Sequence, residues 1–278
     1  MLLLKKNSVM FLMIIILLAA CNSIFYYPSR TDYKRKITQP YEEITILSKS
    51  GNKLNGWYFK SQQKKSKGLF VFFHGNARNI TVHWRSFSWI TEAGYDYFLF
   101  DYSGYGKSTG VAGARNIYYD GISALDYIIP LHKDIPDYKI IISAMSLGGA
   151  VMLTSAAECS YKDSIDLLFV DCTFPSYKKI AKYHYGNSCM PLKILPPFFI
   201  SDRYAPEKHL DQIADIPLLM SHCYEDEVIP YFLGEDLYSQ LKNPKTFWKL
   251  SCKHTAGYWR KENQTKLIDF LETVKIRH

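Results

Sequence analysis

The sequence predicts an α/β fold: a mostly parallel central sheet with helices on both faces. Short β-rich runs alternate with helix-length segments from about Tyr41 onward. Several of these runs, Gly68–Phe73 and Tyr97–Phe100 among them, are almost continuously apolar, as strands buried on both faces must be. The connections are long enough for the crossovers that parallel neighbours require.

Each element has a local reason. Ile44–Leu47 and Leu54–Phe59 read as a hairpin turned by Ser50-Gly51-Asn52. Gly68–Phe73 follows as a strand, Thr81–Ala93 as a helix stopped at Gly94, and Tyr97–Phe100 as a strand. Asn116–Ile129 is a helix closed by Pro130, Lys139–Ser143 a strand, Leu147–Glu158 a helix and Leu167–Val170 a strand. An irregular stretch follows at 174–211. Beyond it come strand Pro217–Ser221, helix Tyr231–Leu241, strand Thr246–Leu250 and helix Trp259–Thr273. No long linker, low-complexity run or solenoid repeat interrupts this series. The 278 residues, 47% apolar, therefore read as one core domain at 41–278 with an N-terminal appendage.

The appendage opens with Lys5 and Lys6, followed by an unbroken apolar run from Val9 to Ala20. A helix of that length spans about 18 Å, well short of a ~30 Å hydrocarbon core, so a cleavable export signal at 1–20 is expected. Leu18-Ala19-Ala20-Cys21 resembles the lipobox of bacterial lipoproteins. The resemblance implies cleavage before Cys21, acylation of that cysteine, and a polar, Tyr-rich tether over 21–40. It further implies a lipoprotein of the bacterial cell envelope, on the periplasmic or outer-membrane side.

The formal charge is +8, two units of which belong to Lys5 and Lys6. A basic surface suits anionic head groups or an acidic substrate, or is a plain solubility feature. No Lys/Arg stripe interleaved with aromatics is present, which argues against a nucleic-acid partner. Five cysteines remain besides Cys21, an odd number, and none has zinc-type CxxC spacing. Cys223 and Cys252 fall near the ends of strands expected to be adjacent. A bond between them and two small buried thiols are both compatible with that placement.

Ile140-Ile141-Ile142-Ser143-Ala144-Met145-Ser146-Leu147-Gly148-Gly149 runs from a buried strand through a serine, flanked by small residues, into an apolar helix. A nucleophile on a tight strand-to-helix turn needs such neighbours, and the helix N-terminus favours an oxyanion beside it. The string resembles the G-x-S-x-G nucleophile elbow of α/β hydrolases, with Ala144 in place of the first glycine, a variant also seen in some lipases. Phe73-His74-Gly75-Asn76 resembles the oxyanion loop of that family. This assigns the backbone N–H groups of Asn76 and Leu147 to the oxyanion hole and leaves His74 a structural role. Asp101-Tyr102-Ser103-Gly104-Tyr105-Gly106-Lys107-Ser108 resembles the D-x-x-G-x-G-x-S scaffold loop after its fourth strand.

The family's chain order is serine, acid, histidine. His222-Cys223-Tyr224-Glu225-Asp226-Glu227-Val228-Ile229-Pro230 is similar to the family's H-G-x-x-D-x-x-V-P string, which selects Asp226, with Cys223 in place of glycine. His254, on a loop after the last strand, completes Ser146, Asp226 and His254. The implied activity is acyl transfer through an acyl-enzyme, with no metal or organic cofactor. Taken whole, the globular part resembles the small-lid α/β hydrolases whose eukaryotic relatives include protein depalmitoylases, which implies a lid over 174–211 and ester or thioester substrates with an apolar acyl part. The apolar stretch Met190–Ile200 either lines an acyl groove or packs onto the core. An amidase or peptidase would use the same three residues. A lipoprotein that only binds a ligand would not need all of them.

Overall fold

The computed structural model describes residues 25–33, 37–185 and 200–277. The expected signal at 1–20, Cys21 and most of the stretch Met190–Ile200 lie outside these residues. Eight strands build one sheet: β1 (Glu42–Leu47), β2 (Lys53–Phe59), β3 (Gly68–Phe73), β4 (Asp96–Phe100), β5 (Lys139–Met145), β6 (Leu167–Asp171), β7 (Leu218–Cys223) and β8 (Lys245–Leu250). Their order across the sheet is β1-β2-β4-β3-β5-β6-β7-β8. Only β1–β2 and β2–β4 run antiparallel; every other pairing is parallel.

Both faces are covered, and the strands show it residue by residue. In β3, Leu69, Val71 and Phe73 enter one apolar cluster while Phe70 and Phe72 enter the other. Along β5, Ile140, Ile142 and Ala144 alternate in the same way with Ile141 and Met145. The first face is sealed by α1 (Ala114–Ile128) and α2 (Leu147–Glu158). From Leu147 to Ala157 every residue of α2 is buried, which accounts for a helix that is apolar around its whole circumference. Short helical turns over 80–91 and helix α5 (Lys261–Thr273) seal the second face. Helices α3 (Tyr177–Tyr185) and α4 (Tyr231–Gln240) flank the site end of the sheet. Among the described residues no helix is long and apolar enough to cross a membrane.

Besides α3, a helix within the stretch expected to be irregular at 174–211, two segments differ from the sequence expectation. The helix expected over 81–93 is a four-residue α-turn, Ile80–His83, followed by two 3₁₀ turns, Trp84–Ser86 and Ser88–Thr91. Phe87 interrupts it at φ −133°, ψ 11°. In that conformation its ring packs among Phe70, Phe72, Phe169 and Tyr258, so burial of one aromatic outweighs helix continuity. The second is Phe25–Tyr33, part of the expected tether, which lies packed against the body. Tyr27–Pro28 pairs in parallel with Ala77–Arg78, and Tyr26 is buried.

Register carries the functional residues to one edge. Phe73 pairs with Ala144, Ala144 with Val170, Met145 with Asp171, Asp171 with Ser221, and Cys223 with Leu250. The carboxyl ends of five parallel strands thus form a row, and the loops leaving them meet above it.

Candidate active site

Ser146 sits between the last residue of β5 and the first of α2, with φ 55° and ψ −128°. A non-glycine residue at positive φ is strained by roughly 1–3 kcal/mol, and it persists only where its surroundings hold it. Here its N–H donates to Asp171 O at 2.9 Å, and its carbonyl accepts from Thr173 Oγ1 and Gly149 N, each at 2.9 Å. The two glycines after it are required by crowding. A Cβ on Gly148 would lie 2.2 Å from Phe73 O, and one on Gly149 would lie 2.5 Å from the Thr173 side chain. Ala144, where the family pattern has glycine, is a fully buried strand residue with its methyl inside the core.

The acid arrives on the loop after β7. Asp226 Oδ1 accepts the N–H of Val228 at 2.9 Å and of Ile229 at 2.8 Å, which folds the loop around its own carboxylate. Oδ2 is left for His254, whose Nδ1 lies 2.7 Å away. His254 Nε2 in turn lies 2.9 Å from Ser146 Oγ. An ionised carboxylate only accepts, so Nδ1 carries the proton and Nε2 faces the serine as an acceptor. Burial alone would raise the Asp226 carboxyl. The His254 hydrogen bond and charge, with the Ile229 and Val228 N–H groups, bring it below the usual aspartate value.

The structure therefore brings together Ser146, His254 and Asp226, three residues far apart in the chain. A Cys223–Cys252 disulfide holds their loops in step, and Tyr224 N and Glu225 N donate to Leu250 O and Cys252 O just beyond it. Of the two arrangements the sequence allowed for these cysteines, the bonded one is found. Asn76 and Leu147 both line the cavity that opens at Ser146. Among the described residues neither backbone N–H has an acceptor, as an oxyanion hole requires. The Asn76 side chain is committed elsewhere: its Oδ1 accepts Tyr27 N at 2.8 Å and Tyr105 O–H at 3.2 Å. His74 is buried, with Nδ1 2.7 Å from the carbonyl of Gly75, and burial holds it well below its usual pKa. It shapes the loop. Asp101, in the scaffold loop, accepts Ile80 N at 2.9 Å and anchors the turn that follows the oxyanion loop.

Several residues escaped the sequence reading. Asp171, fully buried at the end of β6, accepts Ser221 Oγ at 2.7 Å, and burial pushes it up to about 6. Its only sequence signal is an acid closing the run Leu167–Val170. His222 lies beneath the acid, with Nε2 2.9 Å from Ile229 O and 3.6 Å from Asp226 Oδ2. Burial lowers its pKa. Cys172 Sγ, Asp226 and His254 place ligand-type atoms within 4.8 Å of one another. Asp226 and His254 are already joined, and burial holds Cys172 as a thiol, a poor metal ligand.

A cavity of about 340 Å³ opens onto Ser146. Phe25, Leu147, Phe174, Ile180, Ala181 and Ile229 supply its apolar wall, and among the described residues no carboxylate lines it. Phe25 and Tyr27 come from the packed N-terminal segment, which sequence patterning did not link to the site.

An eight-stranded sheet in this order, with a serine on a strained turn after β5 and an acid and a histidine on the loops after β7 and β8, defines an α/β hydrolase. Residues 64–179 match a family described as "Serine aminopeptidase, S33". The chain is 31% identical over 233 residues to YfhR of Salmonella typhi, covering 80% of this chain and 76% of that protein. It is 30% identical over 219 residues to the alpha/beta hydrolase domain-containing protein WAV2 of Arabidopsis thaliana, covering 74% and 68%. An esterase of Pyrococcus furiosus superposes with a TM-score of 0.70 at 17% identity, over 90% of this chain and 98% of that one. The chain belongs to the α/β-hydrolase family, and it is a hydrolase.

Proposed function

We propose that the protein is a serine hydrolase acting on carboxylic esters or thioesters with an apolar acyl part, held on a membrane of the bacterial cell envelope by a lipid on Cys21. The observation that carries the catalytic reading is the unbroken hydrogen-bonded chain Ser146–His254–Asp226, at 2.9 and 2.7 Å. Nε2 of His254 takes the hydroxyl proton as Ser146 Oγ attacks the acyl carbon, and Asp226 stabilises the imidazolium. The N–H groups of Leu147 and Asn76 receive the oxyanion at the N-terminus of α2. His254 then protonates the leaving alcohol or thiol, and a water activated by the same nitrogen releases the acyl group. The apolar wall of the cavity supports an acyl specificity. The elbow asks nothing of a metal or organic cofactor.

A fluorophosphonate probe tests the nucleophile. The wild-type protein should label and Ser146→Ala should not; labelling that survives the substitution assigns the chemistry to another residue. Rates on p-nitrophenyl esters from acetate to palmitate test the cavity, and equal rates across the series would remove the acyl specificity. The matched family description supports a second reading, an aminopeptidase. A free α-amine calls for a carboxylate partner, and the described cavity wall offers none, so aminoacyl p-nitroanilides should be poor substrates.

The anchor reading is supported by Lys5 and Lys6, the apolar run and the Leu18-Ala19-Ala20-Cys21 string. The disulfide suits an oxidising compartment. Incorporation of radiolabelled palmitate should be lost in Cys21→Ser, and retention would refute lipidation there.

A further inference from the structure

We propose that the rim of the acyl cavity is a bilayer-docking surface, so that the acyl chain reaches Ser146 directly from a phospholipid membrane. The inference rests on the acyl-hydrolase reading above and adds the orientation of the site. It begins with the segment Phe25–Tyr33, which is fixed to the body at both ends. Tyr27 N donates to Asn76 Oδ1 at 2.8 Å, and Asn79 Nδ2 donates to the carbonyls of Ser29 and Thr31 at 2.8 and 2.9 Å. The Arg30 guanidinium donates to Ser108 O and Gly110 O at 2.9 and 3.0 Å. Phe25 meets the Tyr177 ring edge-on and forms part of the cavity wall.

The chain therefore enters the body at the mouth of the cavity. Immediately before it in sequence stands the most apolar run of the chain, Val9–Ala20. Position 21 is four residues from Phe25, a reach of at most about 14 Å for extended chain. Whatever holds that run, or a lipid at its end, in a membrane holds the cavity mouth within that distance of the head groups.

The surface around the mouth fits such a partner. Tyr27, which lines the cavity, is 58% exposed. Tyr183 of α3 and Phe232 of α4 are 42% and 52% exposed and meet edge-to-face at 5.9 Å. They are joined to the mouth by His184, which lines the cavity, meets the Tyr183 ring edge-on and lies 2.9 Å from the carbonyl of exposed Val228. Aromatic side chains near an apolar opening, with the proposed lipid of Cys21 attached within reach of it, suit the head-group region of a bilayer, where rings with one wet and one apolar end settle.

The test uses the full chain on phosphatidylglycerol/phosphatidylethanolamine vesicles. p-Benzoylphenylalanine is placed at Phe232, at Tyr183, or at Leu131, which is 59% exposed and precedes the amino end of β5 on the far side of the sheet. Irradiation should give phospholipid adducts at positions 232 and 183 and none at 131; equal adducts, or adducts at 131 alone, overturn the proposal. In parallel, Tyr183→Ser combined with Phe232→Ser should lower turnover of p-nitrophenyl palmitate embedded in vesicles by about tenfold or more while leaving soluble p-nitrophenyl acetate unchanged. Unchanged vesicle turnover, or equal loss on both substrates, counts against docking. Should the wild type cleave neither ester, the hydrolase reading fails, and the adduct pattern still reports on the membrane surface independently.

Discussion

Replacing Asp226 by asparagine changes the chemistry of one side-chain atom and almost no volume, and the structure dictates which way the amide must face. Oδ1 receives two backbone N–H groups, from Val228 and Ile229. An amide nitrogen there would set donors against donors, so the oxygen of the new amide must keep that position and its NH₂ must point at His254. Nδ1, 2.7 Å away, would then have to accept, which moves the imidazole proton to Nε2. A protonated Nε2 donates to Ser146 Oγ and cannot take its proton.

The same tautomer error in a serine protease lowers kcat about 10⁴-fold, equivalent to about 5 kcal/mol of transition-state stabilisation at ~1.4 kcal/mol per decade. Asp226→Asn is therefore expected to lose three to four orders of magnitude in kcat on p-nitrophenyl butyrate. Asp226 does not line the cavity, so KM should change little. Stability should hold too, because both loop hydrogen bonds survive. Asp171 offers no rescue, since its carboxylate is occupied by Ser221 Oγ at 2.7 Å. The assay is steady-state kinetics alongside thermal unfolding. A variant within tenfold of wild type, with an intact fold, would show that the carboxylate does not set the imidazole tautomer.

Other substitutions read other parts of the design. Burial raises Asp171 from the ordinary aspartate value of 3.8 to about 6, so between these values the folded chain keeps a proton that the unfolded chain releases. Its share of stability must then fall as pH rises across that window, by on the order of 3 kcal/mol; buried Asp101, raised to about 7, adds a fall of its own, so the total loss should be smaller by about Asp171's share in Asp171→Asn. Urea midpoints at pH 4 and pH 7 that run parallel for both proteins would contradict this. The disulfide spans 29 residues, so reduction should destabilise by roughly 3–4 kcal/mol and should also lower kcat, because both site loops hang from it. Dithiothreitol that leaves melting temperature and rate unchanged would exclude the coupling. Gly148→Ala puts a methyl 2.2 Å from Phe73 O, between a central strand and a buried helix that cannot part. A loss of about 3 kcal/mol or more, or insoluble expression, is expected; a well-folded, fully active Gly148→Ala protein would show that the elbow has slack.

What the sequence revealed was whatever depends on a chain segment and its own continuation. A buried strand shows itself by its apolar run, so the residue that follows it is placed at the sheet edge without knowledge of its neighbours. Ser146 after β5, Asp226 after β7 and His254 after β8 were legible for that reason. The matching strings around them supplied the order. Asp171 was not, because its significance lies in a lateral partner, Ser221, which it meets only through the β6–β7 register. The broken helix at 80–91 was hidden likewise: Phe87 leaves helical geometry to reach rings contributed by three distant segments.

The N-terminal segment makes the same point from the other side. A two-residue pairing has no period to detect, and its polar composition reads as free chain. Its order comes from Asn76, Asn79 and Arg30, through hydrogen bonds that close loops of 48 to 80 residues. Asn76 is the hinge of that arrangement. Its side chain grips Tyr27, and its backbone N–H is the donor proposed for the oxyanion, so on that proposal attachment and catalysis share one residue. Asn76→Ala should accordingly do more than remove a side-chain contact. It would release Tyr27 N and Tyr105 O–H together and loosen the loop that aims the N–H. The expected signature is a lower kcat with increased proteolytic cleavage near residue 27, and Asn76→Asp, which keeps the acceptor oxygen, should restore both. If Asn76→Ala lost activity while the segment stayed protected, attachment and catalysis would be separate functions of the loop.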